Sequence, residues 1–253
     1  MIEWTDDAIV LSARRHGETA AIVSLLTRAH GRHAGLVHGG AGRRARGIYE
    51  PGNRVTAAWR ARLSEHLGHF ACELVASRAA ALLDDAPRLA ALAAATAVVD
   101  AALPEREAHG RLFDSLDRLI DRLCATEPAA LWPAHYVRFE LDLLADLGFG
   151  LDLDRCAVTG RADDLAFVSP KTGRAVSAAA AEPYRDRLLP LPYFLTRRDG
   201  TDAAVAGDGI VAGLRLTGYF LDQHVFVHRP AQGPERLPAA RDRLVRLLQR
   251  PTA

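Results

Sequence analysis

The chain has little of what secreted proteins and most enzymes are built around. Its three cysteines, Cys72, Cys124 and Cys156, are scattered with no paired spacing, which excludes a disulfide framework and fits free thiols in a reducing compartment. No apolar run approaches the roughly 20 residues a membrane-spanning helix needs. The start carries Glu3, Asp6 and Asp7 where a signal peptide carries positive charge, so a soluble, cytoplasmic protein is expected. Lysine is almost absent, with Lys171 the only one.

Signatures of catalysis are missing as well. Gly35 to Gly47 is rich in glycine, yet it lacks the Gly-Lys-Ser/Thr ending of a P-loop and the spacing of a dinucleotide fingerprint. The pairs His30/His33, His66/His69 and His224/His228 stand without a carboxylate or cysteine at a recognised ligand spacing, and Glu65-His66-Leu67-Gly68-His69 is not the zinc-protease order. Asp84-Asp85 and Asp163-Asp164 sit in helix-start and turn contexts, where carboxylates bond locally. No catalytic residue, metal or cofactor is expected, and the protein does not read as an enzyme.

What is present is arginine, unevenly placed. The net charge is only +1, but Met1 to Arg62 holds ten arginines (14, 15, 28, 32, 43, 44, 46, 54, 60 and 62) against five acids. A G- and C-rich genome explains the choice of arginine over lysine. The clustering marks a basic module on a neutral-to-acidic remainder.

That module has the texture of short strands. Ala8 to Ser12, Ala20 to Thr27, Gly31 to Val37, Arg54 to Leu63 and His69 to Ala76 are β-compatible runs, broken by turns at His16-Gly17-Glu18 and Pro51-Gly52-Asn53 and by a glycine- and arginine-rich loop from His38 to Gly47. Five strands in so short a stretch match an oligonucleotide-binding (OB-fold) barrel. Strand alternation puts Val55, Ala57, Trp59, Ala61 and Leu63 on one face and Thr56, Ala58, Arg60 and Arg62 on the other. Trp59 and Phe70 are therefore expected in the core, with Arg60 and Arg62 as an outward stripe.

Beyond Ser77 the chain turns to alanine- and leucine-rich helix. Leu112, Phe113, Leu116, Leu119, Ile120 and Leu123 recur at helical spacing and predict an amphipathic helix ending near Pro128. Further helices are expected over Leu131 to Leu147, Gly209 to Val227 and Ala239 to Gln249. Leu151 to about Ala181 is irregular and reads as a small inserted subdomain. The expected class is α+β, with a barrel over residues 1–78 and a mainly helical domain over 79–253.

The candidate binding residues are arginines. Arg43, Arg44 and Arg46 lie on a glycine-flanked loop, and guanidinium groups match phosphate geometry. A solvated charge run is the plainer account, but the same barrel carries Arg14, Arg15, Arg60 and Arg62, which favours phosphate binding. Of the aromatic residues, Tyr49 beside the loop is the candidate platform for a base.

Gly17-Glu18-Thr19, Leu26 to Arg32, Val37-His38-Gly39-Gly40, Pro51-Gly52-Asn53, Ala61 to Gly68, Phe139 to Gly150 and Cys156-Ala157-Val158-Thr159-Gly160 occur in one order and spacing. Together they resemble the RecO family of recombinational repair proteins over almost the whole chain. The resemblance implies binding of single- and double-stranded DNA and annealing of complementary strands. It also implies two partners, RecR and the acidic C-terminal tail of single-stranded DNA-binding protein, and a part in loading the RecA recombinase. Some relatives carry a four-cysteine zinc site in the small subdomain. Here only Cys156 remains, with Thr159 at the second position and Ser177 and Ala180 near the third and fourth, so a metal-free subdomain held by Leu165, Phe167 and Val176 is expected. An RNA-binding barrel and a protein-interaction scaffold remain alternatives, since fold alone does not choose function.

Overall fold

In the computed structural model, which describes residues 1–125, 131–196, 207–226 and 237–249, five strands form at the start of the chain. They are β1 (Ile2–His16), β2 (Ala20–Thr27), β3 (Gly31–Val37), β4 (Arg54–Ala61) and β5 (His69–Ala76). Their hydrogen-bonded order is β1-β2-β3-β5-β4, and β4 pairs back onto β1, so the five-stranded sheet closes into a ring. Closure depends on β1 being far longer than its apolar stretch suggests. Ile2 to Ile9 pairs with β4 and Ala8 to His16 with β2, with a register break between Val10 and Ser12 that bends the strand from one partner to the other. The acids Glu3, Asp6 and Asp7 had masked its first half.

The expected alternation in β4 is present. Val55, Ala57, Trp59 and Ala61 are buried, while Ala58 and Arg60 are exposed. Leu63 is the exception: the strand stops at Ala61, and Leu63 lies beyond it, 46% exposed. Val10, Val23, Leu25, Val55, Trp59 and Phe70 fill the interior.

The arginine-rich segment is not simply a loop. Arg43–Ile48 forms a short helix, α1, because Ala45 and Ile48, three residues apart on one face, pack against the barrel interior. Asn53 anchors its end. The fully buried Asn53 amide donates to the carbonyls of Gly47 (2.8 Å) and Ile48 (3.2 Å), and its Oδ1 accepts from the Ala79 N–H (3.1 Å). Gly52 before it has φ 89°, and a Cβ there would lie 2.5 Å from a Leu92 methyl, so the turn requires glycine.

Three helices follow: α2 (Arg78–Ala81), α3 (Ala86–Ala102) and α4 (Gly110–Cys124). Asp85 caps α3 by accepting from the Arg88 N–H at 3.0 Å. α3 packs on β1 and α4 on β2, and the six apolar α4 residues named above are all buried. The expected end near Pro128 lies outside the described residues. These strands and helices belong to one compact unit, Met1–Ala125 with Pro238–Leu244; the second is Thr126–Leu237 with Val245–Ala253.

The second unit contains α5 (Trp132–Asp146), packed against α7 (Gly207–Leu221), which runs on into a π-helical turn, Asp222–Phe226. Val227 and His228 lie outside the described residues. Between them a three-stranded sheet, order β7-β6-β8, is built from β6 (Leu165–Val168), β7 (Ala175–Ser177) and β8 (Leu189–Pro190), with the short helix α6 (Ala178–Ala181) after β7. A final helix, α8, spans Ala239–Leu248. Among the described residues no helix is long and apolar enough to cross a membrane.

Candidate nucleic-acid interface

The arginines of residues 1–78 fall into two sets. Those facing the helices are matched by carboxylates. Arg28 meets Asp114 at 2.6 Å and lies over the Phe113 ring, 4.4 Å from its centroid. Arg32 donates to the Leu103 carbonyl at 2.8 Å and approaches Asp100 and Glu105. Arg54 is shared between Asp7 (2.6 Å) and Asp117 (3.0 Å). The buried Arg78 bridges Asp117 and Asp121, both at 2.6 Å. The Arg54 guanidinium beside Asp7 holds that carboxyl below the usual carboxylate range.

The other set is unmatched. Arg14, Arg43, Arg46, Arg60 and Arg62 are exposed and form no ion pair with a described residue. Arg15 folds back onto the turn after β1, donating to the carbonyls of Gly17 (3.2 Å) and Glu18 (2.8 Å), which leaves its charge uncancelled. Arg44 lies in α1, within the same cluster in sequence. Arg28, Arg32 and Arg54, which sequence reasoning left out of the site, each pair with a carboxylate.

Two hollows organise the unmatched set. One, of about 240 Å³, is lined by Ala13, Arg14 and Arg15 of β1, Arg46 of α1, and the Gly40-Ala41 and Tyr49-Glu50-Pro51 turns. The larger, about 760 Å³, draws on β1, β4 and β5 and includes Arg60, His38 and His69. Both touch Tyr49, which joins them. Arg62 lies just past the end of β4.

Tyr49 itself is not the exposed platform expected. It is 5% exposed, because the turn out of α1 carries its ring into the barrel interior beside Cys72. Burial raises the Tyr49 hydroxyl pKa and pushes the Cys72 thiol up to about 11. The aromatic groups cluster elsewhere. Trp4 stacks on His30 at 4.1 Å and on Trp59 at 5.5 Å, and Trp59 and Phe70 are core, as their parity predicts. His38 stacks on His69 at 4.8 Å. Spacing along the chain had grouped His69 with His66; the true partner comes from the parallel pairing of Leu36 with His69, which local sequence does not display.

In the small subdomain, the Cys156 sulfur accepts from the N–H groups of Ser177 (3.3 Å) and Thr159 (3.5 Å) and lies 3.5 Å from the Ser177 hydroxyl. Burial works against its thiolate, but the hydrogen bonds from Ser177 and Thr159 outweigh it and bring the pKa down to about 6. Val176, Leu165 and Phe167 pack round it. One thiolate with a threonine, a serine and an alanine at the other positions does not fit a structural zinc ion, which takes four nitrogen, sulfur or carboxylate ligands. Hydrogen bonds to the sulfur occupy the place metal bonds would take.

Comparison with known proteins decides the family. The family model "Recombination protein O N terminal" matches residues 1–78 and "Recombination protein O C terminal" matches residues 83–232. The chain belongs to the RecO family. It is 58% identical to the "DNA repair protein RecO" of Rhodospirillum centenum over 96% of this chain and 94% of that protein. The proteins of the same name from Methylobacterium nodulans and Rhodospirillum rubrum are 53% and 49% identical, over 92% and 99% of this chain and 94% and 98% of theirs. As a RecO family member, the chain is a protein of DNA repair and recombination, and its arginine-lined hollows lie within the part matched by the N-terminal model.

Proposed function

We propose that this RecO family member binds single- and double-stranded DNA through the unmatched arginines of its N-terminal, OB-type barrel and anneals complementary strands without a covalent step. The observation that carries the reading is the division of the arginines. Arg14, Arg15, Arg43, Arg46, Arg60 and Arg62 keep their charge uncancelled on one module, and Arg44 joins them by sequence. Guanidinium groups on phosphates release counterions and lower the repulsion between two strands, so binding depends steeply on salt. Residues 1–78 act as the DNA module. Residues 79–253 act as the body that meets RecR and the acidic tail of single-stranded DNA-binding protein, and with them the protein helps load RecA in the cytoplasm.

The test is strand annealing on complementary oligonucleotides coated with single-stranded DNA-binding protein, with affinities for DNA and RNA strands measured at matched salt. The reading expects annealing without nucleotide cofactor and DNA bound at least as tightly as RNA. Tight RNA binding without annealing would instead support a translation-associated role.

A further inference from the structure

The larger hollow combines features that a purely electrostatic grip does not need. Strand register sets Thr5, Ala58 and Ala71 side by side across β1, β4 and β5, with Glu3, Arg60 and His69 as the next row on the same outward face. The small side chains of Ala58 and Ala71 leave a floor across the sheet, and Trp59 and Phe70 lie beneath it, only 2% and 5% exposed. One wall is the stacked pair His38 and His69, their planes 18° apart, with His38 exposed. The Nδ1 atom of His69 is buried without a hydrogen-bond partner. The volume, about 760 Å³, falls in the range of about 300–1,000 Å³ typical of small-ligand pockets.

We infer that this hollow receives an unpaired nucleobase of a bound single strand, stacked against the His38/His69 pair, with Arg60 on its neighbouring phosphate. The inference rests on the reading of the barrel as a DNA-binding surface and deepens it. Imidazole rings serve as stacking faces for bases, as larger aromatic rings do. The shallow alanine floor lets a flat ring approach closely, and His38, the exposed member of the stacked pair, presents the stacking face. The smaller hollow, with Arg14, Arg15 and Arg46, adjoins through Tyr49 and takes the next phosphates. A duplex offers the same phosphates, but its bases are stacked and paired, and one would have to be flipped out to enter. The two DNA forms therefore share the arginines, and only the single strand uses the histidine hollow.

The experiment needs no variant at first. A thymidine oligonucleotide carrying one 2-aminopurine is bound to the full-length wild-type protein, and its fluorescence is compared with the same base in a bound duplex. Quenching in the bound single strand alone is the expected result. The paired variant His38→Ala with His69→Ala should then lower single-strand affinity relative to duplex affinity by roughly tenfold, the effect of one lost stacked base, and relieve the quenching. Bound 2-aminopurine that emits as in free strand, or equal loss of affinity for both DNA forms, overturns the base pocket while leaving arginine-based binding standing. Failure of the wild-type protein to bind either form overturns both readings.

Discussion

The arginines packed against α3 and α4 and the exposed arginines of the same barrel use their charge in opposite ways. Against the helices, Arg28, Arg32, Arg54 and Arg78 each find a carboxylate, and Ser12 and Ser24 both donate to Asp100, at 2.7 and 2.6 Å. Arg14, Arg43, Arg46, Arg60 and Arg62, by contrast, are exposed and form no ion pair with a described residue. The physical cause is desolvation. A charge at a packed interface must be compensated or the interface does not form, whereas an exposed charge costs little and remains available to a ligand. Arginine density along a sequence is therefore an upper bound on binding charge, to be reduced by every pair the fold makes.

The largest effect should come from breaking the matched side. Asp117 serves both Arg54 and Arg78, and Arg78 is buried. Asp117→Ala is expected to cost about 3 kcal/mol or more of folding stability, because it removes one charge-assisted hydrogen bond from each of Arg54 and Arg78, each worth about 1.5–3 kcal/mol, and leaves the buried Arg78 with the exposed Asp121 as its carboxylate. Chemical denaturation checks this, and a loss below about 1 kcal/mol would mean that the pairs are incidental.

Next is the barrel interior, where the buried His33 ring has no charged partner. His33 is 4% exposed and neither ring nitrogen has a partner, and burial, helped by the nearby Arg106, brings its pKa down to about 4. The unfolded chain takes up that proton near the ordinary value of 6.5, so the unfolded state gains protons first as pH falls. Stability is full above pH 6.5 and should decline by about 3 kcal/mol toward pH 4. His33→Phe should remove that part of the decline, seen as the difference between two stability-versus-pH curves. Parallel curves would contradict the assignment.

A smaller effect separates the two sides by a single residue. Arg28→Ala removes a half-exposed pair and should cost no more than about 1 kcal/mol of stability, while leaving the salt dependence of DNA binding as it was. A clear change in that dependence would place Arg28 with the binding set.

Much of this was legible beforehand where local pattern decides. The alternation of Val55, Ala57, Trp59 and Ala61 sorted β4 correctly, and the period of Leu112 to Leu123 marked α4, because both depend only on which face is buried. The first half of β1 was not legible, since Glu3, Asp6 and Asp7 interrupt the apolar pattern and its pairing with β4 is long-range. Nor was α1: glycines at 42 and 47 argue for a loop, and only the barrel behind Ala45 and Ile48 makes a helix favourable. Tyr49 was misread for the same reason, as Arg46 and Glu50 flank it in sequence while its ring packs in the apolar interior. The His38 and His69 pair, and the carboxylates that claim Arg28, Arg32 and Arg54, are products of tertiary contact with no local trace.

The most direct test of the division is the salt dependence of single-strand binding. The logarithm of affinity should fall linearly with the logarithm of salt concentration, by about 0.7 for each phosphate contact. Replacing Arg14, Arg43 and Arg46 together with alanine should flatten that slope by about 2, with thermal stability within about 0.5 kcal/mol of wild type. An unchanged slope in the triple variant would contradict the account, as would an equal flattening in Arg28→Ala.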